Sequence, residues 1–97
     1  MTDIDARVRH ITEVLGQLAE DTSVPRNIRR GANEAKELIA RGPGEFDVRV
    51  AGAISKLDEL ANDPNLPSHG YTEILRVLPE LEALLRDLNS RPQAKAK

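Results

Sequence analysis

The sequence predicts an all-α protein, a four-helix bundle made of two related antiparallel helical hairpins. Three observations predict this class. Four stretches of the chain carry aliphatic residues at helical spacing, Pro and Gly residues separate those stretches, and the first half of the pattern recurs in the second half. The core must be aliphatic, because aromatic residues make up only 2% of the chain. A chain of 97 residues is long enough for one domain with its own core and too short for two.

The first hairpin is predicted from two apolar stripes whose residues recur in steps of three and four, the spacing of one helix face. The first stripe consists of Ile4, Val8, Ile11, Leu15 and Leu18. The second consists of Ile28, Ala32, Ala35 and Ile39. We therefore predict helices over about residues 3–20 and 25–41, because Pro25 suits a first helical turn and Gly42-Pro43-Gly44 ends the second helix.

The second hairpin is predicted in the same way. Its first stripe consists of Phe46, Val50, Ala53, Leu57 and Leu60, and its helix is expected to end near Asn62. Its second stripe consists of Tyr71, Ile74, Leu78, Leu81, Leu85 and Leu88. Pro79 interrupts that stripe, and an interior proline removes one helical hydrogen bond and clashes with the preceding turn. The last helix is therefore either kinked or broken at Pro79, and the unbroken phase of the stripe favours a kink.

The two hairpins are related in sequence. A shift of 42 positions aligns residues 4–25 with residues 46–67 and gives eight identities, among them Asp21 with Asp63 and Pro25 with Pro67. Helix pairs at this period also occur in HEAT repeats, so two HEAT-like repeats are the alternative architecture. Broad stripes that can face a common core favour the closed bundle.

The domain is expected to span residues 1–89, and residues 90–97, which lack an apolar stripe, are expected to form a disordered basic tail. Asp21 and Asp63 each precede the second helix of a hairpin, where short acidic side chains commonly cap loop N–H groups. His69 is expected in the loop after Pro67.

Composition excludes several functional classes. The chain has no Cys, which excludes disulfide frameworks and thiol nucleophiles and fits a reducing cytoplasm. No apolar run approaches the roughly 20 residues that span a bilayer, and the N-terminus does not resemble a signal peptide. A net charge of −2 gives no overall attraction for nucleic acid or anionic lipid. We expect a soluble cytoplasmic protein that makes no contact with membranes.

Motifs for chemistry are missing as well. The sequence contains neither glycine-rich phosphate-binding motif, Gly-x-x-x-x-Gly-Lys or Gly-x-Gly-x-x-Gly, and no Gly-x-Ser-x-Gly nucleophile motif. No Ser or Thr has a recognisable His partner. His10 and Glu13 form one reversed and unrepeated version of the pair used in di-metal bundles. We predict that the protein is not an enzyme and needs no cofactor or metal.

The clearest polar cluster lies on the second helix. Arg26, Arg29, Arg30 and Asn33 are spaced to share one surface, and Arg binds phosphate and carboxylate groups bidentately. These four residues are the candidate contact for an anion, an RNA backbone or an acidic partner. The other interpretation is a solvated face, in which Arg30 pairs with Glu34 and its neighbours pair with acidic residues of an adjacent helix.

Three segments together resemble an uncharacterised family of short archaeal proteins. They are Val24-Pro25-Arg26-Asn27-Ile28-Arg29-Arg30, Asp47-Val48-Arg49-Val50-Ala51 and Asn62-Asp63-Pro64-Asn65-Leu66-Pro67. The resemblance covers about residues 4–88. It implies a small all-helical domain, expected to be a four-helix bundle, in an archaeal cytoplasm, and it transfers no catalytic, cofactor or binding residue.

By elimination, the best interpretation is a small non-catalytic protein-interaction or adaptor domain that binds an unidentified protein. The alternative is a ribosome- or RNA-associated factor that docks through the arginine face of the second helix. Either could be a monomer or a homodimer.

Overall fold

A computed structural model describes residues 2–90 of the chain, with side chains from Ile4 onward. This part of the protein contains four α-helices and no strand. They are α1 (Thr2–Ala19), α2 (Arg26–Arg41), α3 (Phe46–Ala61) and α4 (Ser68–Ser90). The all-α class and the four predicted helices are confirmed. Most ends lie within a residue or two of the prediction, and α4 begins earlier because Pro67 and Ser68 already start its first turn.

The helices form a closed ring in which each helix packs against two neighbours. α1 contacts α2, α2 contacts α3, α3 contacts α4, and α4 returns to contact α1. The contact between α1 and α4 closes the bundle, whereas two HEAT-like repeats would stack their hairpins in an open array. The structure is therefore the predicted four-helix bundle and not the alternative.

The core is entirely apolar within the described residues. Its buried residues are Ile11, Val14, Leu15, Leu18, Val24, Ile28, Ala32, Ala35, Ile39, Val50, Ala53, Leu57, Leu60, Ile74, Val77, Leu78, Leu81 and Leu84. The predicted stripes supply most of this set. The prediction for Tyr71 is wrong, because the sequence places it in the fourth apolar stripe and the structure leaves its side chain 44% exposed. It is at the edge of the stripe, where a side chain of its length extends to the surface.

The loop between α1 and α2 and the loop between α3 and α4 contain the same pattern of hydrogen bonds. Asp21 Oδ1 accepts a hydrogen bond from the backbone N–H of Ser23 at 3.0 Å, and Asp63 Oδ1 accepts one from Asn65 at 2.8 Å. In each loop the carbonyl of the same Asp also accepts a backbone bond from the residue three positions on, Val24 or Leu66. The predicted role of both aspartates as loop caps is confirmed.

Pro79 does not break α4, which runs continuously from Ser68 to Ser90. The proline lies on an exposed side of the helix, where its ring faces away from the core. His69 lies in the first turn of this helix, so its predicted place in a loop is wrong.

The C-terminal boundary also moves, because Ser90 ends α4 and is not part of a tail. Residues 91–97 of the predicted tail lie outside the described residues. Between residues 2 and 90, no helix combines the length and apolar character needed to cross a bilayer.

Candidate functional site

The arginine cluster lies on α2 but does not act as one unit. Arg29 is partly buried, and its Nε donates a hydrogen bond to the carbonyl of Val24 at 3.0 Å. This bond fixes the side chain against the loop before the helix. Arg29 therefore has a structural contact that the sequence analysis assigned to none of the four residues.

The remaining members point into solvent. Arg26, Arg30 and Asn33 are exposed, and none of them has an ion pair or side-chain hydrogen bond within residues 2–90. The expected pairing of Arg30 with Glu34 is wrong, because Glu34 Oε1 instead accepts from Lys56 Nζ of α3 at 3.1 Å. These three side chains are free to bind an anionic group. Their role as a contact stays a prediction.

A cluster that the sequence analysis missed joins the two hairpins at one end of the bundle. His69 Nε2 lies 2.9 Å from Ser23 Oγ and 3.1 Å from Asp21 Oδ2. Since Ser23 Oγ donates to Asp21 Oδ1, it is free to accept from the Nε2–H of His69. Hydrogen bonds from Ser23, and then the nearby His69, lower the pKa of Asp21 below its ordinary value.

These three residue types also make up catalytic triads, but the geometry differs. In a triad the hydroxyl and the carboxylate contact opposite nitrogens of the imidazole, so that the ring can pass a proton between them. Here Ser23 and Asp21 both face Nε2. The arrangement holds a loop and provides no route for activating the hydroxyl through the ring.

The same end of the bundle carries a second, symmetric contact. Asn27 Nδ2 of α2 donates to Asp63 Oδ2 at 2.9 Å. Asn27 and His69 are 42 positions apart, as are the two aspartates they contact. A side chain on the second helix of each hairpin thus contacts the capping aspartate of the other hairpin. The sequence duplication is therefore accompanied by two equivalent contacts between the hairpins.

An open cleft of about 430 Å³ lies between α1 and α4. Its lining includes Ala6, Arg7, His10, Glu80 and Ala83. At its edge Arg7 Nη1 lies 2.8 Å from Asp87 Oδ2, and His10 Nε2 lies 3.6 Å from Glu80 Oε1, which is longer than a hydrogen bond. The guanidinium at the edge of the cleft therefore already has an acidic partner.

The exposed large apolar side chains of the described residues all lie on α3 and α4. They are Val48, Tyr71 and Leu75, with 64%, 44% and 45% of their surface exposed. Asp87 of α4 pairs with Arg7 of α1, so the flank of α4 that carries Asp87 faces α1. Tyr71 and Leu75 lie on the opposite flank by helical spacing, which faces α3.

On α3 the same reasoning identifies the neighbouring surface. Lys56 pairs with Glu34 of α2, so the other flank, with Ala51 and Ile54, faces α4. Ala51 is exposed and Ile54 is half-buried, while Val48 lies one turn from Ala51 on the outer side of the helix. We call Ala51 and Ile54, together with Tyr71 and Leu75, the α3–α4 face; Val48 points away from the core and is not part of it.

The sequence contained a signal for this face that was not used. Leu75 is a large apolar residue that does not fit the phase of its helix's stripe. Such a residue either widens the buried band, as Val14 and Val77 do, or lies on the surface, so its position marked it only as a candidate.

Comparisons with known proteins place this chain among archaeal proteins. Residues 1–84 match the sequence model of the uncharacterised protein family UPF0147. A UPF0147 protein of Pyrococcus furiosus is 46% identical over 85 residues, which cover 87% of this chain and 91% of that protein. A UPF0147 protein of Methanothermobacter thermautotrophicus is 45% identical over 74 residues, covering 76% of this chain and 72% of the relative.

Solved structures give the same result. The crystal structure of a UPF0147 protein from Thermoplasma acidophilum has a TM-score of 0.77 and 36% identity, and the match covers 84% of this chain and 98% of that one. A crystal structure of a protein of unknown function has a TM-score of 0.73 and 42% identity, covering 78% of this chain and 86% of the other. The resemblance drawn from the sequence is confirmed, and this chain belongs to the uncharacterised protein family UPF0147.

Proposed function

We propose that this protein is a small non-catalytic interaction domain of the cytoplasm, and that it binds another protein through the α3–α4 face. The observation that carries the proposal is the pair of exposed apolar side chains Tyr71 and Leu75, which lie one turn apart on the flank of α4 that faces α3. Scattered surface apolar residues need no explanation, but a contiguous group on one face is typical of a protein contact.

We propose a non-catalytic role because of the geometry of Ser23, His69 and Asp21. The nearest approach to a catalytic group among the described residues uses a single imidazole nitrogen for both partners. A cytoplasmic location is supported by the lack of Cys, which fits a reducing compartment.

The experiment is affinity purification from the native source, with mass spectrometry, using three forms of the chain. The wild type is compared with Tyr71→Ser/Leu75→Ser and with the matched control Arg26→Gln/Arg30→Gln. We expect a protein that is captured by the wild type and by the arginine variant and lost with the α3–α4 variant. Circular dichroism checks that all three forms are folded.

The opposite pattern would contradict the proposal. In that case capture would be lost only in the arginine variant, would fall steeply as salt rises, and would bring down ribosomal RNA. Such a result would mean that α2 binds the phosphates of RNA and that the α3–α4 face is not the contact.

A further inference from the structure

We infer that the α3–α4 face takes an amphipathic helix of a partner protein whose apolar stripe is bordered by Lys and Arg. This inference rests on the proposed function and adds the chemistry of the partner. It is carried by the charges around the apolar residues.

Two acidic side chains, unpaired among the described residues, lie beside the apolar surface. Asp58 follows Ile54 by one turn on α3, and Glu82 follows Leu78 by one turn on α4, so both lie on the flanks where the two helices meet. Both are exposed, and neither has an ion pair within residues 2–90. Arg86, one turn after Glu82, is a basic residue on the same flank of α4.

The acidic residues on the opposite flank of α4 have close basic neighbours that Asp58 and Glu82 lack among the described residues. Glu80 and Asp87 lie on the side facing α1, where Asp87 pairs with Arg7 at 2.8 Å and Glu80 lies 3.6 Å from the imidazole of His10. Acidic residues of α4 are thus paired where the bundle supplies a partner and unpaired beside the α3–α4 face. A bound helix with Lys or Arg at its edges would supply the missing charges.

The same charges argue against other occupants. A second copy bound through a two-fold axis would bring four carboxylates, Asp58 and Glu82 of each copy, to one interface, with one Arg86 from each copy to offset them. Nucleic acid and anionic lipid would meet the same repulsion. A helix is the element that fits, since Tyr71 to Glu82 spans about 17 Å, or three turns.

The test uses two synthetic 18-residue helical peptides with identical Leu positions, one with Lys and the other with Glu at every polar position. Binding is followed by fluorescence anisotropy, and the contact is mapped by amide chemical shifts of the labelled full chain. We expect the Lys peptide to bind about tenfold or more tightly than the Glu peptide, with shifts concentrated on α3 and α4.

Variants separate the contributions. Tyr71→Ser/Leu75→Ser should abolish binding of the Lys peptide. Asp58→Asn/Glu82→Gln should weaken it about threefold to tenfold and reduce its salt dependence. The matched control Glu13→Gln/Glu20→Gln makes a similar charge change on the far side of the bundle and should leave binding within about twofold.

Several outcomes overturn the inference. Equal affinity for both peptides, equal loss in the Glu13/Glu20 control, no binding, or shifts confined to α1 and α2 would each do so. A dimer in sedimentation equilibrium that Leu75→Ser dissociates would assign the face to a second copy.

The proposed function can survive such a failure. If native capture depends on Leu75 but is unchanged in Asp58→Asn/Glu82→Gln, the face binds a protein whose recognition does not use basic residues. If capture is independent of Leu75, the proposed function itself fails.

Discussion

Single residues on α2 differ sharply in what they do, although their sequence spacing makes them look equivalent. Arg29 is tied to the carbonyl of Val24, whereas Arg30 one position later has no partner among the described residues. Sequence spacing identifies a shared surface, but it does not show which guanidinium reaches a backbone acceptor in the preceding loop. That depends on the path of the loop from Asp21 to Pro25.

We therefore predict that Arg29→Gln lowers the free energy of unfolding by about 0.5–1.5 kcal/mol, the usual contribution of one hydrogen bond. The matched variant Arg30→Gln should change it by less than about 0.5 kcal/mol, as is usual for an exposed site. Urea denaturation measures both. Equal effects would show that the bond to Val24 contributes nothing to stability.

Asp21 gives the protein a pH-dependent contact. The pKa of its carboxyl lies below the ordinary value of 3.8 because Ser23 and then His69 stabilise the charged form. A lowered folded-state pKa contributes stability that is fully present above the unfolded value and is lost as pH falls through the folded value. The contact should therefore stabilise the fold at neutral pH and fail in acid.

The prediction is that Asp21→Asn melts at a lower temperature than the wild type at pH 7, and that the difference narrows by pH 3. Thermal melts followed by circular dichroism at both pH values measure it. A difference that is the same at both pH values would mean that the charge on Asp21 does not contribute.

At the scale of the helix, close packing between neighbours depends on where glycine occurs. A Cβ added at Gly31 of α2 would lie 2.6 and 2.9 Å from the two Cδ atoms of Leu60, which is itself buried. A Cβ at Gly52 of α3 would lie 3.4 Å from Leu38 Cδ1, near ordinary contact. The two glycines therefore differ in whether the neighbouring helix leaves room for a methyl group.

We expect Gly31→Ala to destabilise the protein by about 1–3 kcal/mol, because Leu60 must move within a packed core. Gly52→Ala should stabilise it by about 0.5–1 kcal/mol, since alanine favours the helix and the space exists. Chemical denaturation of the two variants provides the comparison. A stabilising Gly31→Ala would show that Leu60 can shift without cost.

Helix positions and core stripes were predictable because both follow from local spacing. Leu15 and Leu57 are in phase with their stripes, and both are fully buried. The contact of Ser23 with His69 was not predictable, because it joins residues 46 positions apart and depends on how the hairpins align. The α3–α4 face was recoverable only in part, through the out-of-phase position of Leu75.

At the scale of the whole molecule, each hairpin provides half of a shared core. The contacts of α2 with α3 and of α1 with α4 join the two hairpins. In the closed ring, Leu15 and Ile28 on one hairpin and Leu57 and Leu81 on the other are all fully buried. The sequence duplication thus relates two halves that complete each other.

This closure predicts that neither half folds alone. The fragments 1–43 and 44–97 should each have low helicity at 222 nm and no cooperative melting transition, because a hairpin of this size buries too little apolar surface to offset its chain entropy. Mixing them at equal concentration should restore helicity and a melting temperature that rises with concentration, since association supplies the missing half of the core. The intact chain, whose melting temperature should not depend on concentration, is the control. A cooperative transition in fragment 1–43 alone would show instead that the first hairpin is an independent unit and that the contact between α1 and α4 is not needed for folding.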